Sequence, residues 1–426
     1  MRSRTIVSAV AVLGGTLALA GCVETTVLLP GPAACSDLAE GVTGAFLPYE
    51  GAVEGALPEC AGATHLAAGP SRDRLELRLE QWGAEPPPLL TVTDASGRRL
   101  VDAEPPEDGR WWFRLRRAGE FTVQLEMPAP VAESVDYAVS LACGRAVEGA
   151  CGEFTRHPVL FMHGMAGTDS YLDTIDYWFG IQEELERRGF AVVMPAVDAF
   201  APSQTRVLQW MEHLDALQDD GYGPRWNLLG HSQGGIDARL LASDPEWMDR
   251  VVSITTVASP HGGSPLADAA QGAIDVAPGL AALVEQGVSA LSVIFGLGPA
   301  ELLAATGTIT TEAMTDFNAA VPDLPGVAYY SWSGRTCGLL EFACRSRHGD
   351  EVVDAPLSAT YNLLRALGVE SDGIVPVDSA VWGEHLGVLG ADHFDEVGQI
   401  GGFTSEGFDH LDFYTSEMRR LAEAGL

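Results

Sequence analysis

The sequence predicts an α/β protein with a mostly parallel sheet, preceded by a smaller all-β sandwich. Three observations carry this reading. From residue 154 onward, short apolar runs alternate with helical periodicity, the pattern of parallel strands joined by crossover helices. Across residues 39–141, apolar and polar residues alternate with period two and are punctuated by turn residues. Between the two lies a short linker, residues 144–152, bracketed by Cys143 and Cys151.

A chain of 426 residues suits two domains, and 46% apolar with 20% charged residues suits packed ones. The formal charge of −34 would repel nucleic acid and anionic head groups, which disfavours both as partners. All 25 basic residues are Arg. Without Lys, Ser–Lys dyads, Schiff-base chemistry and P-loop phosphate binding are excluded, and a serine nucleophile would need His as its base.

Residues 1–22 read as an export signal, with Arg2 and Arg4 before an apolar run too short to span a bilayer comfortably. Its end, Leu19-Ala20-Gly21-Cys22, resembles the bacterial lipobox, whose cysteine is diacylated. The simpler reading is an ordinary signal with a spare cysteine. Removing Cys22 from the seven cysteines leaves an even number, which favours lipidation and an oxidising compartment. The expectation is an outer-membrane or cell-surface lipoprotein, otherwise a secreted protein. Residues 23–36 suit a tether.

Residues 37–150 form the expected sandwich, with strict alternation in Arg74-Leu75-Glu76-Leu77-Arg78-Leu79-Glu80. Trp82, Trp111 and Trp112 read as core residues or as a sugar-stacking platform. Local disulfides (Cys35–Cys60, Cys143–Cys151, Cys337–Cys344) are the simplest pairing.

In the second domain, residues 151–426, a strand is expected at 158–162, a helix at Ile181–Arg188 closed by Gly189, a strand at 190–194 and a helix at 206–217. The organising stretch is Gly230-His231-Ser232-Gln233-Gly234, with an apolar strand before it and a helix after it. A serine on so tight a turn has its hydroxyl thrust above the sheet, and glycines flank it because a Cβ would collide. The amide of Gln233, at a helix N-terminus, can face a developing oxyanion. Met165, in the His163-Gly164-Met165-Ala166-Gly167 turn after the first strand, is the candidate for the second amide. Downstream, Asp372 lies on a turn beside an apolar run, and His393 lies just ahead of a helix start, giving the order Ser, Asp, His. Asp378 is the alternative acid. His163 reads as a loop residue, His385 sits within the Asp-to-His segment, and His410 lies beyond the helix that follows.

From about residue 158 to 403 the chain resembles the secreted bacterial triacylglycerol lipases of the Pseudomonas/Burkholderia type, which are α/β-hydrolases. The resemblance is carried by Val159-Leu160-Phe161-Met162-His163-Gly164-Met165, Asp176-Tyr177-Trp178-Phe179-Gly180-Ile181 and residues 227–235. It continues through Pro260-His261-Gly262-Gly263-Ser264, Tyr330-Ser331-Trp332-Ser333-Gly334, Asp372-Gly373-Ile374-Val375, His385-Leu386-Gly387 and residues 393–399. It implies a triad of Ser232, Asp372 and His393. It also implies one structural Ca²⁺ near the histidine loop, held by Asp395, the carbonyls of Gln399 and Phe403, and a second aspartate for which Asp354 fits best. The alternative for Asp395 is simply an acidic helix start. Two departures stand out: Asp378 replaces a disulfide cysteine of the family, and Gln233 replaces a common His.

The apolar insertion at residues 264–321 reads as core helices or as a lid that opens on lipid. The expected function is therefore a carboxylester hydrolase, foremost a triacylglycerol lipase, acting on lipid at an interface without an organic cofactor. The resemblance also implies a dedicated folding chaperone as a partner, as some of the relatives have. The alternatives are an esterase of soluble or polymeric esters and a non-catalytic surface lipoprotein.

Overall fold

The structure is a computed structural model that describes residues 42–57, 62–71, 73–82, 88–103, 109–126, 135–144, 152–167, 177–273, 280–348, 351–405 and 407–426. The expected signal and Cys22, the tether, Cys35, Cys60, Cys151 and Asp176 lie outside these residues.

The N-terminal strands are β1 (Val42–Thr43), β2 (Gly51–Leu57), β3 (Gly62–Gly69), β4 (Leu75–Trp82), β5 (Leu89–Asp94), β6 (Arg99–Ala103), β7 (Arg110–Phe113), β8 (Gly119–Glu126) and β9 (Val135–Cys143). They form two sheets, ordered β1-β3-β8-β5-β6 and β2-β9-β4-β7. Period-two alternation explains their packing. Along β8, Phe121, Val123 and Leu125 face inward while Glu120, Thr122 and Gln124 face out. Leu75, Leu77, Leu90, Val92 and Trp111 meet them in one apolar core. Trp111 is thus core, while Trp112 on the other face of β7 carries the Arg74 guanidinium 4.4 Å from its ring. The two rings point to opposite faces, so the three tryptophans make no single stacking platform.

The second unit comprises β10 (Val159–Met162), α1 (Ile181–Arg188), β11 (Val192–Val193), α2 (Ser203–Asp219), β12 (Trp226–His231), α3 (Gln233–Ala242), β13 (Val251–Val257) and α4 (Pro265–Ala270). It continues with α5 (Ala281–Phe295), α6 (Pro299–Thr306), α7 (Thr311–Ala320), β14 (Ala328–Gly334), α8 (Phe342–His348), α9 (Ser358–Ala366), β15 (Glu384–Leu389) and α10 (His410–Glu423). Its six strands run β11-β10-β12-β13-β14-β15, all parallel. The central strands β10 and β12 are buried throughout, as a sheet covered on both faces requires. β11 is shorter than the five residues expected because it is an edge strand, paired with β10 at two positions.

The sandwich docks at the N-terminal edge of this sheet. Glu120 takes Arg156 at 2.7 Å and Arg225 at 3.3 Å, and Ala118 enters the core beneath β12. Ser232 follows the opposite, C-terminal end of β12, so that edge of the sheet stays clear of the sandwich.

Helices α4 to α7 fill the insertion. The apolar face of α5 packs with Leu291 against Leu357, Leu363 and Leu364, while Val293 projects outward. Among the described residues no single helix is long and apolar enough to cross a membrane. Cys337 and Cys344 are disulfide-bonded, and Cys143 is bonded as well.

Candidate active site

The turn after β12 is strained where a nucleophile would stand. Ser232 has φ 55° and ψ −126°, a region that a residue with a Cβ enters only when its surroundings enforce it. Two glycines allow the crowding. A Cβ on Gly230 would come within 2.4 Å of the Gly235 nitrogen, and one on Gly234 within 1.9 Å of the Met162 carbonyl oxygen. The Ser232 amide donates to the Val257 carbonyl at 2.9 Å, which fixes the turn to β13.

Asp372 and His393 are brought together. Asp372 is fully buried; its Oδ1 accepts from the amides of Ile374 (2.8 Å) and Val375 (2.6 Å). Its Oδ2 accepts from His393 Nδ1 at 2.7 Å. With its proton on Nδ1, His393 has a free lone pair on Nε2. Ser232, His393, Met165 and Gln233 all line one cavity of about 1240 Å³, with walls that include Val293, Phe295 and Ile374. Of the alternatives, Asp378 is exposed, His385 Nδ1 lies 3.4 Å from Ser331, and His410 is spent on the Phe179 carbonyl.

Behind His393 lies a buried chain that sequence reasoning missed. The Gly164 amide donates to the Tyr177 hydroxyl at 2.9 Å, so that hydroxyl donates onward to His231 Nδ1 at 2.6 Å. His231 therefore carries its proton on Nε2 and gives it to Glu396 Oε2 at 2.8 Å. Burial holds His231 neutral, well below its usual pKa. Glu396 lies 3.6 Å from His393 Nδ1; burial, then the Asp372 charge, raises its pKa well above the usual carboxylate range. The two carboxylates differ in their donors: Asp372 has two backbone amides and Glu396 has none. The period of the motif hides this chain, because Tyr177, His231 and Glu396 belong to three separate segments.

A second buried group sets the turn after β10. Arg206 Nη1 donates to the Gly164 carbonyl at 3.1 Å, Nη2 donates to that of His163, and Nε pairs with Asp237 at 2.7 Å. His163 Nδ1 also donates to the Gly164 carbonyl (2.8 Å), and its Nε2 accepts from the Val197 amide. Burial, with Arg206 beside it, pushes His163 down to about 3, in keeping with a neutral loop residue. Because a trans peptide points its C=O and N–H in opposite directions, pinning the Gly164 carbonyl aims the Met165 amide the other way. The Gln233 amide lies at the first position of α3, where a helix leaves its N–H groups unpaired.

Below the histidine loop, carboxylate oxygens of Asp354, Asp392 and Asp395 lie within 4.8 Å of one another. Asp392 was not foreseen. Its Oδ1 accepts from the amides of Phe394 and Asp395, and its Oδ2 from that of Asp354. Burial, then Glu351, pushes Asp395 up to about 7. Gln399 and Phe403, on the loop that follows, line the cavity.

A family model described as the alpha/beta hydrolase fold matches residues 157–279. The chain is 30% identical over 298 residues to a protein of Vibrio cholerae named triacylglycerol lipase, covering 64% of this chain and 89% of that one. It is 30% identical over 306 residues to one of the same name from Pseudomonas fragi, covering 64% and 98%. A lipase of Bacillus licheniformis of known structure is 21% identical with a TM-score of 0.47, covering 66% of this chain and 96% of that one. The chain belongs to the triacylglycerol lipase family of the α/β-hydrolase fold, a family of serine carboxylester hydrolases.

Proposed function

We propose that Ser232, His393 and Asp372 hydrolyse lipid esters through an acyl-enzyme. The supporting observation is a strained serine opening on the same apolar cavity as a histidine whose Nδ1–H is held by a buried carboxylate. In the reaction, His393 Nε2 takes the Ser232 proton as Oγ attacks the ester carbonyl carbon. The amides of Met165 and Gln233 receive the oxyanion. His393 then protonates the departing alcohol, and water repeats the sequence to free the acid. Asp372 keeps the imidazole in the required tautomer throughout. Helices α4 to α7 serve as a lid over the apolar cavity.

Two experiments test this reading. A fluorophosphonate probe is expected to label Ser232 alone. Hydrolysis of an ester series is expected to jump when long-chain glycerides pass their solubility limit; activity confined to dissolved short esters would make the protein an esterase.

Calcium extends the proposal. Asp354 and Asp395 offer hard oxygen donors beside the histidine loop, and crowding of acids there is what a divalent cation relieves. With the Gln399 and Phe403 carbonyls they would hold one Ca²⁺, which would brace the loop carrying His393 without entering the reaction. Metal-free protein should be sensitive to pH. A carboxyl whose folded pKa is raised contributes most below its unfolded pKa, and stability falls as pH rises towards the raised value. EDTA-treated protein is expected to lose about 1–2 kcal/mol between pH 4 and 7, after allowance for solvent screening. Added Ca²⁺ should restore it at pH 7. Unchanged thermal stability with and without EDTA at pH 7 would remove calcium from the proposal.

Lipidation at Cys22 would tether the enzyme at the cell surface, with the sandwich between tether and catalytic domain. A lipase-specific chaperone would assist its folding. Palmitate labelling lost in Cys22→Ser, and recovery of activity after unassisted refolding, test the two separately.

A further inference from the structure

From the structure we infer a second lipid contact: the disulfide-clasped turn after β14, closed onto the first turn of α8, is a wedge that inserts into a phospholipid surface. The inference rests on the lipid-hydrolase reading above for its choice of partner.

The loop, Cys337-Gly338-Leu339-Leu340-Glu341-Phe342-Ala343-Cys344, is closed by its own disulfide. Three large apolar side chains stand out from it, with Leu339 66%, Leu340 80% and Phe342 72% exposed. The one charge within it is withdrawn. The Glu341 carboxylate accepts from the Tyr361 hydroxyl and from the Gly338 amide at 3.1 Å, and pairs with Arg365. The outward face is therefore apolar, at a cost in water that a monomeric protein rarely carries without use. The clasp removes conformational freedom, so little ordering entropy is lost when the loop is buried.

Position and charge name the occupant. β14 runs parallel to β12, so the loop leaves the same edge of the sheet as Ser232. The Thr336 amide donates to the Ser371 carbonyl, one residue from Asp372. Val293 and Phe403, which line the cavity that Ser232 opens on, are exposed apolar side chains as well. In a chain of net charge −34, the acids beside this tip are balanced, Glu341 by Arg365 and Glu370 by Arg335 at 2.9 Å. An apolar tip whose neighbouring acids are neutralised can reach a zwitterionic lipid surface that the rest of so acidic a chain would not favour.

The test uses the full chain as Ser232→Ala, so that binding is read without turnover, in a flotation assay with phosphatidylcholine vesicles. Leu340→Ser/Phe342→Ser is expected to weaken partitioning by about tenfold or more. In the Ser232 background the same pair should leave hydrolysis of a dissolved acetate ester within about twofold, since the loop lies outside the cavity lining. Equal partitioning with and without the two serines would overturn the inference. So would a change in oligomeric state, which would assign the patch to a second copy of the chain. Absence of ester hydrolysis before any loop change would instead count against the catalytic reading. As an independent measurement, Leu339→Trp should add emission that shifts to the blue on vesicle addition; an unshifted difference spectrum overturns the wedge.

Discussion

Asp372→Asn is expected to lower kcat by about 10⁴-fold with little change in KM. The Oδ1 position is fixed by the amides of Ile374 and Val375, so the asparagine carbonyl oxygen must occupy it. Its NH₂ then faces His393 Nδ1, which must accept rather than donate. The imidazole proton is forced to Nε2, and the base is lost. Asp372→Ala should cost less, about 10²-fold. With the aspartate charge gone, the second cause holding Glu396 protonated disappears, and its Oε2 already lies 3.6 Å from Nδ1. Glu396→Gln alone should cost under about tenfold, because an amide oxygen can accept the His231 proton as the carboxyl does. The double variant Asp372→Ala/Glu396→Gln should lose what Asp372→Ala retains. Steady-state kinetics on a dissolved ester ranks the four. A larger loss from Glu396→Gln than from Asp372→Asn would make Glu396 the partner of the histidine.

The residues legible in the sequence are those whose chemistry is local. Gly230, Ser232 and Gly234 announce a turn because steric crowding acts between neighbours in sequence, and the spacing of β10, α1 and β12 announces a parallel sheet for the same reason. Asp372 and His393 could be named from their turns and their order. Groups joined only by the fold were not legible. Tyr177, His231 and Glu396 meet through hydrogen bonds spanning 54 and 165 residues, and no periodicity encodes such pairings. Asp392 went unnoticed beside His393 because a buried aspartate satisfied by backbone amides has no motif of its own. In the sandwich, alternation fixes which side of β7 each tryptophan takes, which separates Trp111 from Trp112.

Arg206 offers the second large effect, and its geometry separates positioning from stability. The side chain is wholly buried, joins α2 to Asp237 on α3, and holds the carbonyls of His163 and Gly164. Arg206→Met should cost about 3–5 kcal/mol, because the Asp237 carboxylate is left buried and unpaired. It should also lower kcat by up to about 10²-fold, the lower end of the range for losing one oxyanion donor, since the Gly164–Met165 peptide keeps only the His163 Nδ1–H and is held less firmly. A stability defect alone would not settle the point. Arg206→Met/Asp237→Leu replaces both charges with apolar groups and should recover most of the lost stability, as such replacements of buried pairs do. Turnover should not recover with it, because the Gly164 carbonyl then keeps only the His163 Nδ1–H and the His163 carbonyl loses its guanidinium donor. Arg206→Lys keeps the charge without the fork, and should lie between the unaltered protein and Arg206→Met in kcat with KM unchanged, as expected for an interaction made in the transition state. Thermal unfolding and single-turnover rates on the three variants check this directly. If the double variant regains stability and turnover together, Arg206 only holds the fold; if stability returns alone, it aims the amide that receives the oxyanion.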